Sequence, residues 1–141
     1  MEQVDAAVHL AIGDSSQQAL HALIGTTLYD RASDESRHLL EAFVACTAAR
    51  HQCVPREERS HVLVFRPRNF AVIDYAGRSE CTLTVSLWGR EAIYRQADLS
   101  GILVPPRTGY ARVCVKRFVD LPQLLHAVDL AWEIWNGSNH L

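Results

Sequence analysis

The stretch Glu80-Cys-Thr-Leu-Thr-Val-Ser-Leu-Trp88 decides the fold. Cys81, Leu83, Val85 and Leu87 alternate with Thr82, Thr84 and Ser86. A side-chain period of two is a strand with one buried face and one polar face, as in an antiparallel sheet covered on one side only. Upstream, Phe70 to Tyr75 reads as a second strand, joined through Ala76-Gly77-Arg78-Ser79. Val62 to Phe65 reads as a third, joined through Arg66-Pro67-Arg68-Asn69, where proline fixes φ and asparagine tolerates left-handed geometry. Downstream, Tyr110 to Phe118 supplies a fourth, with Ala111, Val113 and Val115 on one face and Arg112, Cys114 and Lys116 on the other. Between them, Glu91 to Ala97 suits a helical turn, and Pro105-Pro106 with Gly109 reads as irregular chain.

The flanks change to helical spacing. Ser33 is placed to cap a helix that carries Asp34 and Glu35 in its first turn, continues through Leu39, Leu40, Phe43, Val44 and Thr47, and ends near Arg50. His51 to Ser60, with Pro55 and the run Arg56-Glu57-Glu58-Arg59, reads as a loop. Asp120 opens a last helix with a D-x-x-Q capping pattern to Gln123. Leu121, Leu124, Leu125, Val128, Trp132 and Trp135 form its apolar stripe, and Gly137 stops it. At the other end, Val4, Val8 and Ile12 suggest a first helix. Asp14, Ser15 and Ser16 offer caps for a second, which ends at Gly25. The expected fold is α+β: an antiparallel, four-stranded, meander-type sheet packed on helices, with N-terminal helices and a C-terminal amphipathic helix. Residues 1–26 are expected to form a helical extension and residues 27–141 the α+β domain. The last helix is expected to cover the side bearing Cys81, Leu83, Val85 and Leu87.

Composition narrows the classes. Hydrophobic residues make up 48% of the 141 and charged residues 21%, which fits a chain that buries a core without staples. No apolar run approaches the roughly 20 residues of a membrane span. Glu2 and Asp5 stand where an export signal needs positive charge, so the expected location is cytoplasmic. Cys46, Cys53, Cys81 and Cys114 are expected to be buried free thiols. The net charge of −2 is unevenly spread. Arg56 to Arg117 holds 11 basic and 6 acidic side chains, and the remainder holds 3 and 10. A basic middle of this kind points to an anionic partner.

No catalytic constellation emerges, and the expectation is a protein that is not an enzyme and uses no cofactor. His51 and Cys53, with Cys46 and His61, lack the paired spacing of a metal site. His38 and Glu41 are helix-face neighbours, His126 borders the last stripe, and the strand acids Asp74 and Glu80 are too few for a nuclease cluster. No G-x-S-x-G, Walker loop or G-x-G-x-x-G is present. The cations Arg66, Arg68, Arg107, Arg112 and Lys116 are instead placed in turns and on the polar strand face, where they suit phosphate contacts beside the hydroxyls of Thr82, Thr84 and Ser86. Trp88 and Phe118 are the aromatics available to stack on bases. The first reading is therefore a binding or adaptor domain for an anionic partner, nucleic acid foremost. The alternatives are a protein-interaction or homo-oligomer module, meeting its partner through Trp132 and Trp135 or the N-terminal helices, and a small-molecule-binding domain.

The order of motifs from about Thr27 to Gly137 resembles a small bacterial domain family of unknown function, related to the MmcQ/YjbR-like and YdhG-like domains. The resemblance rests on the helix Ser33–Arg50, then His61-Val-Leu-Val-Phe65 and Asn69-Phe-Ala-Val72. Pro106-Arg107 with Tyr110, Val113 to Phe118, and Asp120-Leu-Pro through Trp135-Asn-Gly137 follow. It implies a helix, a meander sheet, a further strand and a closing helix. Through the MmcQ/YjbR-like relatives it implies contact with DNA.

Overall fold

The computed structural model describes residues 14–107 and 109–137, so the helix expected at Val4 to Ile12 lies outside it. The chain enters through α1 (Asp14–Leu23), followed by Gly25 in the left-handed conformation at φ 91°. Glycine takes that conformation without a Cβ clash. Ser16 does not cap α1. It is buried within the helix, and its hydroxyl donates to the Ala45 carbonyl at 2.9 Å. A short helix, α2 (Thr27–Arg31), has no counterpart among the expected elements.

Helix α3 (Asp34–His51) begins as its sequence dictates. The Ser33 hydroxyl accepts from the Ser36 N–H at 3.2 Å, and Asp34 and Glu35 occupy the first turn. The helix ends at Gln52, in the left-handed region at φ 49°, whose N–H donates to the Ala48 carbonyl. Leu39, Leu40, Phe43, Val44, Ala45 and Ala48 are all fully buried. A helix apolar over so much of its circumference belongs in the middle of a structure. Here α3 packs against α1, against the sheet and against the last helix.

The sheet has six strands, not four. They are β1 (Val54–Glu57), β2 (Leu63–Arg66), β3 (Ala71–Ala76), β4 (Leu83–Leu87), β5 (Leu103–Arg107) and β6 (Tyr110–Val115). Their order is β1-β2-β3-β4-β6-β5, with every neighbouring pair antiparallel. β2, β3 and β4 form the expected meander, and β1 adds to it at the β2 edge. After α4 (Glu91–Gln96), β5 runs along the outside and β6 returns between it and β4. The two unforeseen strands, β1 in the expected loop and β5 in the expected irregular stretch, are the two edges. Both contain proline, which lacks an N–H and is tolerated where only one side of a strand is paired.

The registers fix which side chains share a face. Leu63 and Ile73 lie opposite each other, as do Ile73 and Val85, and Val85 and Val113. These residues are fully buried under α3 and α5 (Leu121–Asn136). Between Ile73 and Tyr75 the register shifts by one residue. This bulge returns Ala76 to the core opposite Leu83 and leaves Asp74 and Tyr75 off it. Helix α5 buries Leu121, Leu124, Leu125 and Val128 and half-buries Trp132 and Trp135, the expected stripe. The expected Asp120 cap does not form. Asp120 has helical backbone angles and closes a 3₁₀ turn, Phe118–Asp120, and its carboxylate meets Arg117 at 3.3 Å.

The start of α3 is pinned to the β3–β4 turn. The buried Ser36 hydroxyl donates to the Glu80 carbonyl at 2.9 Å and accepts from the Thr82 N–H at 3.1 Å. The Ser33 N–H donates to the Gly77 carbonyl at 2.8 Å. A Cβ at Gly77 would fall 2.0 Å from the Glu80 carbonyl oxygen, so no larger residue fits this turn as built.

All four cysteines are free thiols, but only Cys53 is fully buried. Cys114 points away from the core, opposite Thr84, and is half-buried with Cys46 and Cys81. The expectation of buried thiols therefore holds for Cys53 alone. No described helix is long and apolar enough to cross a membrane.

Candidate binding face

Helices cover one side of the sheet. Across the other, Arg56, Val64, Val72, Ser86, Arg112 and Val104 form one row over all six strands. Among the described residues no helix lies across this face, and α2 meets β3 only towards its Tyr75–Ala76 end. Exposed aromatics stand at both ends of it: Tyr75 is 40% exposed and Tyr110 41%.

At the Tyr110 end the face opens into a groove of about 80 Å³ lined by Asn69, Phe70, Val72, Ser86, Trp88 and Tyr110. Trp88 stacks on Tyr110 with ring centres 5.1 Å apart and planes at 27°, and meets Trp135 edge-on at 4.8 Å. The Tyr94 hydroxyl donates to the Trp88 carbonyl, and burial pushes that phenol above its ordinary range. The groove wall is therefore held from below. Asn69 Oδ1 is buried and makes no hydrogen bond among the described residues.

The five cations picked from the sequence do not share one site. Arg66, half-buried at the end of β2, and Arg68, exposed in the following turn, stand beside the groove on either side of Pro67. Arg107 ends β5 opposite Tyr110, at the same end of the sheet. Arg112 lies mid-sheet and is already engaged. Its Nε is 3.4 Å from Asp74 Oδ2, and the Ser86 hydroxyl donates to that same oxygen. Asp74 is only 9% exposed in its side chain, so this cross-strand cluster neutralises Arg112 inside the sheet face. Lys116 falls at the opposite end, in a hollow it shares with Asp34, Glu35, His38 and Phe118. The expected row of hydroxyls is also altered: Thr82 and Thr84 are buried, and only Ser86 stays half-open.

Trp132 and Trp135 pack inward. Trp132 stacks on His51 at 4.9 Å and 22°, and Trp135 meets Trp88. His51 Nε2 donates to the Asp129 carboxylate at 2.7 Å, Asp129 also pairs with Arg50 at 2.7 Å, and Phe70 lies edge-on to the imidazole. No hydroxyl or thiol among the described residues is hydrogen-bonded to His51, so the pair has no nucleophile to activate. The Tyr29 hydroxyl donates to Glu41 at 2.6 Å, and that bond raises its pKa above the ordinary phenol value. The Cys53 thiol donates to the Thr47 carbonyl, and burial pushes its pKa up to about 12. Among the described residues no three His, Cys, Asp or Glu side chains gather as metal ligands.

The groove and Asp74 are the parts that the sequence reading missed. One signal for the groove was present: Tyr110 has the same strand parity as Arg112, which puts it on the uncovered face. Nothing local marked Asp74, which meets its partner 38 positions along the chain.

Compared with known proteins, the chain matches no family model, no curated protein and no solved structure.

Proposed function

We propose that this chain is a non-enzymatic binding module whose partner is single-stranded nucleic acid, held at the Arg66–Asn69 end of the sheet face that no described helix crosses. The observation that carries the reading is the Trp88–Tyr110 stack, half open to solvent, beside the Arg66-Pro67-Arg68 turn. A ring platform next to guanidinium groups is what an unpaired base and its phosphate need. Arg66 and Arg68 support it further, because neither takes part in an ion pair or hydrogen bond among the described residues. Arg112 and Lys116 stand outside this reading, the first neutralised by Asp74 and the second at the far end.

The test is fluorescence anisotropy with labelled DNA and RNA oligonucleotides. Each phosphate contact contributes about −0.7 to the slope of log K against log salt for single strands. Replacing Arg66 and Arg68 together by Ala is expected to reduce that slope by about 1.4. Tyr110→Ala is expected to weaken binding by about 1–3 kcal/mol, the contribution of one stacked base. No binding of either oligonucleotide at low salt sinks the proposal.

A further inference from the structure

A second polar hollow lies at the other end of the same face, where α2, the β1–β2 connection and the β3–β4 turn converge. It encloses about 140 Å³, room for four or five groups of water size at roughly 30 Å³ each. Two arginines reach it from different elements: Arg31 from the last turn of α2 and Arg78 from the turn after β3. Neither makes an ion pair or a hydrogen bond among the described residues. Two uncompensated guanidinium groups on one small hollow repel each other, and an anion between them removes that repulsion.

The third wall is backbone held in an uncommon shape. Ser60 and His61 are consecutive non-glycine residues in the left-handed region, at φ 65° and 62°. Each such residue costs on the order of 1 kcal/mol and persists only where its surroundings enforce it. Backbone bonds close the turn, from the Glu58 N–H to the Val62 carbonyl at 2.9 Å and from the His61 N–H to the Glu58 carbonyl at 3.2 Å, and the Glu57 carboxylate meets His61 Nδ1 at 3.0 Å and accepts from the Thr27 N–H at 3.4 Å. Ser60 and Thr27, both hydroxyl-bearing, line the hollow beside His61. One carboxylate also lines the hollow. Asp74 is already matched, by Arg112 and the Ser86 hydroxyl on β6 and β4.

We propose that this hollow is a phosphoryl site, which takes a tetrahedral oxyanion either as free phosphate or as the end of a phosphomonoester. Donors come from α2, from the β1–β2 connection and from the β3–β4 turn, so they surround a centre. A planar carboxylate uses one guanidinium fork, whereas a tetrahedral dianion has oxygens for several such donors at once. The site is independent of the oligonucleotide reading: it uses none of the residues around Trp88 and Tyr110.

The test is a titration of the full chain at constant ionic strength set by chloride, followed by thermal shift and by phosphorus NMR. The probes are inorganic phosphate, glycerol phosphate and acetate. Phosphate is expected to stabilise the protein saturably, and Arg31→Ala and Arg78→Ala are each expected to weaken it at least about tenfold, since both remove charge-assisted hydrogen bonds. Both arginines are exposed, so the variants keep the fold, and Arg95→Ala on α4, which lines neither hollow nor groove, serves as the control that leaves phosphate binding unchanged. Binding of glycerol phosphate as well assigns the site to a phosphate ester, and binding of inorganic phosphate alone assigns it to the free ion. An equal response to acetate or to chloride overturns the proposal, as does unchanged phosphate affinity in both arginine variants.

Discussion

Replacing Ser36 by Ala tests how the helical layer is fastened to the sheet. Its hydroxyl is buried and serves the Glu80 carbonyl, the Thr82 N–H and the Ser33 hydroxyl at 2.9, 3.1 and 3.0 Å. Glu80 keeps a second partner, the Ser33 hydroxyl at 3.3 Å. Thr82 N–H keeps none from Ser36, and a buried donor without an acceptor costs about 1–3 kcal/mol. The lost bond to the Glu80 carbonyl adds about 1 kcal/mol, and alanine's higher helix propensity returns roughly half of that. The expected net loss is about 1.5–3.5 kcal/mol. For a chain of 141 residues the unfolding entropy is about 0.3 kcal/mol per degree, so Tm should fall by roughly 5–12 °C. Urea denaturation should show the lost stability as a lower midpoint with an unchanged slope. Ser33→Ala removes the cap, worth about 1 kcal/mol, and the Ser33 hydroxyl's bonds to Ser36 and Glu80, but leaves the Ser36 hydroxyl on Glu80 and Thr82, and is the comparison. A Ser36→Ala loss no larger than that of Ser33→Ala would refute the claim that this hydroxyl fastens α3 to the turn.

Two further perturbations probe groups whose titration the fold has moved. Cys53, with its thiol pushed up to about 12 by burial, should resist maleimide in the native protein while Cys114 and Cys46 react. Mass mapping that finds Cys53 modified as fast as in urea contradicts its burial. The carboxyl of Glu57 is held below the usual carboxylate range by Thr27 and then by His61. Its folded-state pKa is thus the lower one, so its contribution is complete above the unfolded value and is lost as pH falls through the folded value. Glu57→Gln should therefore be less stable than the parent at neutral pH and converge with it in acid. Parallel stability curves down to the acid limb would exclude the Thr27–Glu57–His61 linkage.

The central strands were legible because they obey one rule, a buried residue every second position. β2, β3, β4 and β6 each pair on both sides; β3 up to its bulge and β6 show that period in their burial, β4 shows it in its sequence, β2 is a short apolar run, and α3 and α5 show their caps or stripes. The edge strands broke the rule for a physical reason. Val54-Pro-Arg-Glu57 and Leu103-Val-Pro-Pro-Arg107 pair on one side only, so they carry prolines and charges that a central strand excludes. The candidate site was legible in its parts and not in its arrangement. Arg112 and Lys116 share a strand face, yet four residues at about 3.3 Å each put them some 13 Å apart. The acid that neutralises Arg112 comes from another strand. The Trp88–Tyr110 groove exists only because β6 inserts beside β4, a choice of neighbour that no local pattern encodes.

Both borders of the sheet carry proline: Pro55 at one, Pro105 and Pro106 at the other. Each border has too few free amide hydrogens to template an incoming chain, and α1 packs against the first as well. Growth of the sheet from molecule to molecule is therefore blocked at both ends. Among the described residues, a visitor to the helix-free side therefore meets side chains on the flat of the sheet rather than open backbone at its borders.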